Sequence, residues 1–453
     1  MKRISAEISE NQIIELLSND LIGRNREIVY FFRLLGRVEG GYSFFLNAAW
    51  GDGKTVFVKQ AALALKVLND NLVSSNEEYA AVRNAPLLSG VDMEELYMPV
   101  YYNSWKNDSL GDPLPSLIAT IATEHGLNLS TEDGPLVSDA AAGILDAVLK
   151  PFNLNVLSEI RDAFSGRDYL EAFDERKELH GKVGNLIDSV LAERANKLVL
   201  FIDEIDRCSP SFALKLLEEI KFLFENDRVI LVFSTDMQQL GNIVSGAYGD
   251  KFDGSRYLGR FYDRIIPLSK PDPAAYLAAC GVENSTSLEE ESYLRNLDLV
   301  ITDLSNVSAL SMRETDCYLE SLEEVRTMLE RASYGTSWSS VFFCAGVVPV
   351  LLLIKLRDIV EYGKVVDHAD PRPIVDYLEK SSVLKQLSET AASCLSGESS
   401  NAYDYSENVG QLIADLCTVA FGGNPLSEEY RLASSHLPFQ ACSRIISLAN
   451  RVL

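Results

Sequence analysis

Three stretches of the chain are apolar almost without interruption, each ending abruptly in polar residues. They are Tyr42–Leu46, Leu198–Ile202 and the Val-Ile-Leu-Val-Phe of Arg228–Phe233. Runs of this length without alternation predict strands covered on both faces, as in a parallel sheet. A shorter strand is predicted at Met98–Asn103. Between the second and third runs, Ser209-Pro210 reads as a helix cap followed by a first-turn proline. Phe212, Leu216, Ile220 and Leu223 then keep helical spacing. Strand, helix, strand in this order is a right-handed crossover unit. The expected fold is α/β, a parallel sheet with a long insert at about 70–196, followed by an all-helical C-terminal part. Residues 1–40 read as helical, and after Pro271-Asp272-Pro273 the pattern is helical to the end. The expected division is 1–270 for the sheet domain, 271–355 for a helical lid and 356–453 for a helical C-terminal domain.

The first run leads directly into Ala48-Ala49-Trp50-Gly51-Asp52-Gly53-Lys54-Thr55, and a helix-like segment opens at Lys54. Strand, tight turn and helix N-terminus make a phosphate-binding loop of the form G-x-x-x-x-G-K-[ST], with Ala48 where the first glycine is usual. Gly51 and Gly53 permit the tight bend that aims successive N–H groups at a phosphate chain. The helix adds the positive end of its dipole. Lys54 is placed to reach β- and γ-phosphates and the Thr55 hydroxyl to ligate Mg²⁺, with Trp50, Asp52 and Val56 completing the expected nucleotide contacts. The second run ends in Asp203-Glu204, at the carboxyl edge where open α/β sheets bind ligands. Asp203 suits the metal's water shell, and Glu204 suits activation of water. The alternative is a solvated strand end. Asp206 and Arg207 either pair locally or face a neighbouring subunit. The third run ends in Ser234-Thr235-Asp236, where Ser234 either senses the γ-phosphate or belongs to an ordinary helix cap.

These blocks resemble the KAP family of P-loop NTPases. The similarity is carried by Trp50-Gly51-Asp52-Gly53-Lys54-Thr55, by Val100-Tyr101-Tyr102-Asn103-Ser104-Trp105, and by Phe201-Ile202-Asp203-Glu204-Ile205-Asp206-Arg207-Cys208-Ser209-Pro210. Weaker likenesses are Tyr257-Leu258-Gly259-Arg260-Phe261 through Ile265-Ile266, and Ser311-Met312-Arg313-Glu314, which looks like a helical lid. The resemblance covers roughly residues 15 to 330. It implies Mg²⁺-dependent ATP binding and hydrolysis that drives a conformational or assembly switch, with a bacterial anti-phage role among the family's functions. Glu204 stands where the family usually has a second Asp, which moves this chain toward an ordinary water-activating carboxylate. Gly259–Arg264 also looks like the arginine-finger region of AAA+ ATPases. Arg260 or Arg264 would then serve a neighbour's nucleotide, which implies a homo-oligomer; otherwise they pair with surface carboxylates. Arg313 would contact nucleotide from the lid side. Asn19–Arg24 is placed, by the resemblance, to turn the chain toward the adenine side. The rival readings are a nucleotide-dependent scaffold with negligible hydrolysis and an AAA+-like remodelling motor. A small-molecule kinase is a weaker third, since no acceptor pocket is identifiable.

Composition narrows the partners. The formal net charge is −25, and residues 271–453 hold 13 basic against 26 acidic residues, so −13 of that total. Nonspecific nucleic-acid binding needs clustered Lys and Arg, and no such cluster occurs, so it is disfavoured. A protein partner recognised by the acidic helical C-terminal region fits better. Seven cysteines, none in C-x-x-C, and four scattered histidines predict reduced thiols, no zinc site and a cytoplasmic location. Many relatives carry transmembrane helices, but Ala140–Leu149 is far short of the roughly 20 residues a span needs and contains Asp146. No transmembrane anchor is expected. Ser333–Ile354 has no charged residue. It reads as a buried helix kinked near Pro349, or otherwise as a partner groove or membrane-contacting helix. A flexible break is expected at 396–401, and the insert's charged part at 157–194 is expected to be helical.

Overall fold

The fold is described from a computed structural model, which describes residues 8–38, 41–73, 77–91, 93–123, 181, 183–221, 226–249, 251–283, 287–288, 293–331, 342–397 and 409–421. The expectations for 124–180, for 333–341 and for the break near 398–401 lie outside them. The chain divides into two compact units, Ala6–Lys270 and Pro271–Leu453, the second together with Met1–Ser5.

Among the described residues the first unit holds a five-stranded parallel sheet, β1 (Tyr42–Asn47), β2 (Tyr97–Asn103), β3 (Lys197–Asp203), β4 (Val229–Thr235) and β5 (Arg264–Pro267), with helices around it. The spatial order is β2-β3-β4-β1-β5. The apolar runs thus lie at the sheet's centre, each extended by a residue or two, because a parallel strand between helical layers is buried on both faces. Successive side chains alternate between those faces. Phe44 points toward Phe31 at a centroid distance of 5.8 Å, and Phe31 also meets Phe57 and Phe201. Phe45 points the other way, packing on Phe233 at 4.7 Å and Tyr262 at 5.1 Å. Phe212, Leu216 and Ile220 of the Pro210–Ile220 helix join this second face, as their spacing predicts. The cap before that helix departs from the simple expectation. Ser209 bonds no helix N–H, and its hydroxyl instead reaches Asp108 at 2.6 Å.

The second unit is helical among the described residues, from Pro273–Ala279 to Val409–Phe421. Ser311 and Glu314 cap the Met312–Arg331 helix reciprocally, so Arg313 sits exposed in its first turn. The described part of the uncharged segment, Phe342–Ile354, is buried throughout. It runs as a π-helical turn, Phe343–Val347, into the Val348–Arg357 helix, with Pro349 in that helix's first turn. The proline offers no N–H to the carbonyl four residues back, and the wider turn just before it accommodates the lost bond. Gly346 packs closely there, since a Cβ would lie 3.0 Å from the Phe342 ring. No helix of the described residues is long and apolar enough to cross a membrane.

Candidate functional site

All five strands are parallel, so β1 to β4 end along one edge of the sheet. The register places Asn103 beside Asp203, Asp203 beside Ser234, and Thr235 beside Asn47, where the phosphate loop begins. Sequence positions separated by up to about 190 residues therefore meet in one row. Gly51 and Gly53 both have positive φ, 89° and 81°, a conformation that only glycine adopts cheaply. The loop closes into the Lys54–Leu68 helix as expected.

Lys54 is 8% exposed, and burial lowers its pKa, an effect opposed chiefly by Asp206. Its Nζ donates to the carbonyls of Ala48 at 2.8 Å and Ala49 at 3.2 Å. The nearest carboxylate is Asp206, at 3.9 Å. A buried ammonium held by two neutral carbonyls and a carboxylate beyond hydrogen-bond length is short of negative charge, which a phosphate would supply. Thr235 adds a buried hydroxyl without a hydrogen-bond partner at the same edge. These features fit an anionic ligand in the loop.

Asp203 is 1% exposed. Burial raises its pKa, and the neighbouring hydroxyls of Thr55, Ser234 and Tyr101 work against that rise. The Tyr101 hydroxyl donates to it at 2.9 Å. The fold therefore brings Thr55, Asp203 and Ser234 together. A hard divalent cation prefers such an oxygen set, so the residues fit one. Glu204 follows in a left-handed conformation, φ 62°, which is rare for a residue with a Cβ. Its carboxylate accepts from Asn103 Nδ2 at 2.9 Å and lies 2.6 Å from Arg207 Nη1. Asp206 and Arg207 turn to different partners: Arg207 pairs with Glu204, and Asp206 turns inward. Asp206 accepts from the Trp50 indole N–H at 2.7 Å and from the Asp236 backbone N–H at 2.8 Å. One buried carboxylate thereby ties the phosphate loop to the end of β4. Asp236 itself caps the Met237–Tyr248 helix, as the cap alternative for this strand end required.

Asp52 is buried, Val56 is buried on the first turn of the helix, and Trp50 is half exposed. Arg260 and Arg264 lie elsewhere. Arg260 is exposed and stands over the Tyr257 ring at 5.4 Å, and Arg264 approaches the Tyr30 hydroxyl at 3.5 Å. Arg264 opposes Phe44, three positions before Asn47, so about 10 Å of strand separates it from the loop. Arg313 belongs to the second unit. The contacts of three residues could not be read from the sequence. Asn103 holds Glu204, Asp206 anchors Trp50, and Arg24, almost fully buried, donates to the Asp52 carbonyl at 2.7 Å. Arg24 was placed only within Asn19–Arg24, toward the adenine side, and its burial against the Asp52 carbonyl had no local signal, because a surface arginine and a buried one look alike in sequence.

A parallel sheet whose first strand ends in a lysine-bearing glycine loop, beside a strand ending in a buried aspartate, defines a P-loop nucleotide-binding domain. The family model for the KAP family P-loop domain matches residues 31–326, well over half of the chain. The chain belongs to the KAP family. That membership supports nucleotide binding and makes nucleoside triphosphatase activity the expected chemistry. No curated protein matches the chain. Among solved structures it is similar to one titled "Structure of C. elegans PCH-2", with 11% identity, 75% of this chain and 69% of that chain covered, and a TM-score of 0.28. A likeness that loose carries no weight for function.

Proposed function

We propose that this chain binds ATP and hydrolyses it, and that the cycle switches its shape or assembly. The observation that carries the reading is the buried, charge-deficient Lys54 within the loop, facing the Asp203–Glu204 strand end. Lys54 and the N–H groups of Gly51 to Thr55 bind the phosphates. Ser234 contacts the γ-phosphate end. Thr55 and Asp203 hold Mg²⁺, which when bound screens phosphate charge. Glu204 takes a proton from the attacking water at its carboxylate, after turning from Asn103 or Arg207. Arg260 or Arg264 serves the nucleotide of a second copy, since the strand register sets Arg264 away from the loop of its own chain. Residues 271–355 act as a lid, with Arg313 on its nucleotide side, and 356–453 meet a protein partner. A cytoplasmic role in anti-phage defence belongs to the same reading.

The test is ATP hydrolysis measured together with mass by light scattering, for wild type, Lys54→Ala and Glu204→Gln. Lys54→Ala loses binding. Glu204→Gln binds ATP and stalls. Binding that persists in Lys54→Ala at wild-type affinity overturns the assignment. A second reading, the nucleotide-dependent scaffold, is favoured by the two partners already on Glu204, which keep its carboxylate engaged. It predicts tight ATP binding with turnover that Glu204→Gln does not change.

A further inference from the structure

Arg24 has no part in the chemistry above, yet it is among the largest fully buried side chains of the described residues, at 2% exposure. A guanidinium is costly to bury unless its donors are satisfied. Burial accordingly lowers its pKa, with Glu27 and then Asp52 opposing. What it does with its donors is specific. A single nitrogen, Nη2, donates to the carbonyl of Asp52 at 2.7 Å and to the carbonyl of Ser269 at 3.0 Å. Nη1 stands 3.6 Å from Glu27 Oε2. Glu27 then accepts from the Ser269 N–H at 2.9 Å and from the Ser269 hydroxyl. Ser269 is thus held through its N–H, its carbonyl and its side chain. It follows β5 and precedes Lys270, the last residue of this unit.

Arg24 is fixed from behind. Asp20 turns at φ 48° and accepts from the Asn25 N–H at 2.9 Å, and the Asn25 side chain is tied to the Leu17 and Pro86 carbonyls. The planar guanidinium therefore works as a rigid bracket between two backbone segments 217 positions apart. In a trans peptide the carbonyl and the next N–H point in opposite directions. Holding the Asp52 carbonyl consequently sets the direction of the Gly53 N–H, which belongs to the phosphate loop.

We propose that Arg24 is a positioning residue for the phosphate loop, and that with Glu27 it links loop occupancy to Ser269, at the exit of the chain from the sheet unit. A ligand that settles the Asp52–Gly53 peptide settles the Arg24 bracket, and the bracket settles Ser269. The link rests on the nucleotide reading of the loop, but its geometric half does not require a ligand.

The experiment is hydrogen exchange on the full chain, with and without Mg²⁺-ATP, for wild type, Arg24→Lys, Glu27→Ala and Lys54→Ala, with ATP affinity measured in parallel. Without ATP, both Arg24→Lys and Glu27→Ala speed exchange across 266–272, and Arg24→Lys also speeds it across 50–54. With ATP, wild type slows exchange at 266–272. Glu27→Ala still binds ATP within about fivefold of wild type, because Glu27 touches no loop atom, but loses that slowing. Arg24→Lys weakens ATP about tenfold or more, the scale of losing a charge-assisted bond. Glu27 is a quarter exposed, so its truncation is the variant that keeps its fold if Arg24→Lys does not. If Glu27→Ala shows the wild-type exchange pattern at 266–272 in both conditions, the link is refuted. If wild type binds no ATP while the ligand-free differences appear, the nucleotide reading fails and the bracket stands. If Lys54→Ala, which does not bind, shows the same slowing with ATP, the effect does not come from the loop and the proposal falls.

Discussion

Replacing Glu204 separates what its side chain does for stability from what it does for hydrolysis. The left-handed backbone at φ 62° costs a residue with a Cβ on the order of 1–2 kcal/mol. The carboxylate recovers part of this through Asn103 at 2.9 Å and Arg207 at 2.6 Å. Hydrogen bonds to charged groups contribute about 1.5–3 kcal/mol. Arg207 is a quarter exposed, which brings its share down to roughly 1 kcal/mol. Glu204→Gln keeps an acceptor for Asn103, loses the charge and keeps the strain, so it destabilises by about 1 kcal/mol. Glu204→Gly loses both contacts, about 2.5–4 kcal/mol, and relieves about 1 kcal/mol net of strain once glycine's extra unfolded-state entropy is counted, so it destabilises by about 1.5–3 kcal/mol. Both variants should then melt below wild type, Glu204→Gly by somewhat more than Glu204→Gln. Their hydrolysis should fall together by about 10²–10⁴, the usual contribution of a general base. Scanning calorimetry and a phosphate-release assay on the same preparations read both quantities. The assignment is refuted if Glu204→Gly keeps turnover within tenfold of wild type. A loss above about 3 kcal/mol in Glu204→Gly would instead make the side chain a structural support, with its strain unrelated to function.

Other consequences are equally direct. Trp50→Phe removes the 2.7 Å bond to Asp206 while leaving a ring at a half-exposed site, so ATP affinity should drop about fivefold with little change in melting. Equal affinity by calorimetric titration would mean the indole N–H does not position the loop. Mixing Lys54→Ala protein with an Arg260→Ala/Arg264→Ala variant, each inactive alone, should restore hydrolysis in proportion to mixed assemblies; no recovery, despite mixed assemblies seen by mass, would rule out arginines acting between copies. Cys317 is exposed, whereas burial pushes the thiols of Cys208, Cys280 and Cys417 up to about 12. At pH 8 a thiol reagent should therefore modify Cys317 in the folded protein and reach those three only on unfolding, as peptide mass mapping would show.

Much of the sheet unit was legible because its signals are local. An apolar run such as Leu198–Ile202 declares a buried strand, and Gly51 and Gly53 declare a turn with positive φ. Lys54 and Thr55 follow by adjacency, and Asp203 by its place at a strand end. What stayed hidden depends on contacts between distant segments. Asp206 and Arg207 are neighbours in sequence, yet one turns to Trp50 and the other back to Glu204. The short 3-10 turn at Ile205–Arg207, entered through left-handed Glu204, decides that divergence. Periodicity arguments see helices and strands, not a single residue at φ 62°. Arg24 was hidden for another reason, since its burial depends on Ser269, which joins it only after the whole sheet has closed.

The same contacts explain why the site is built on strand ends rather than within one loop. Lys54 is short of negative charge, and Asp206 stands too far, at 3.9 Å, to satisfy it. Had Asp206 moved into contact, a closed internal ion pair would have filled the place of a phosphate. It is held back by the Trp50 indole and the Asp236 N–H, both bonded to its Oδ2. The Trp-Gly-Asp-Gly-Lys loop and the Asp-Arg that follows β3 thus act as one device. The tryptophan occupies the carboxylate that would otherwise neutralise the lysine, and the lysine stays available to an incoming anion.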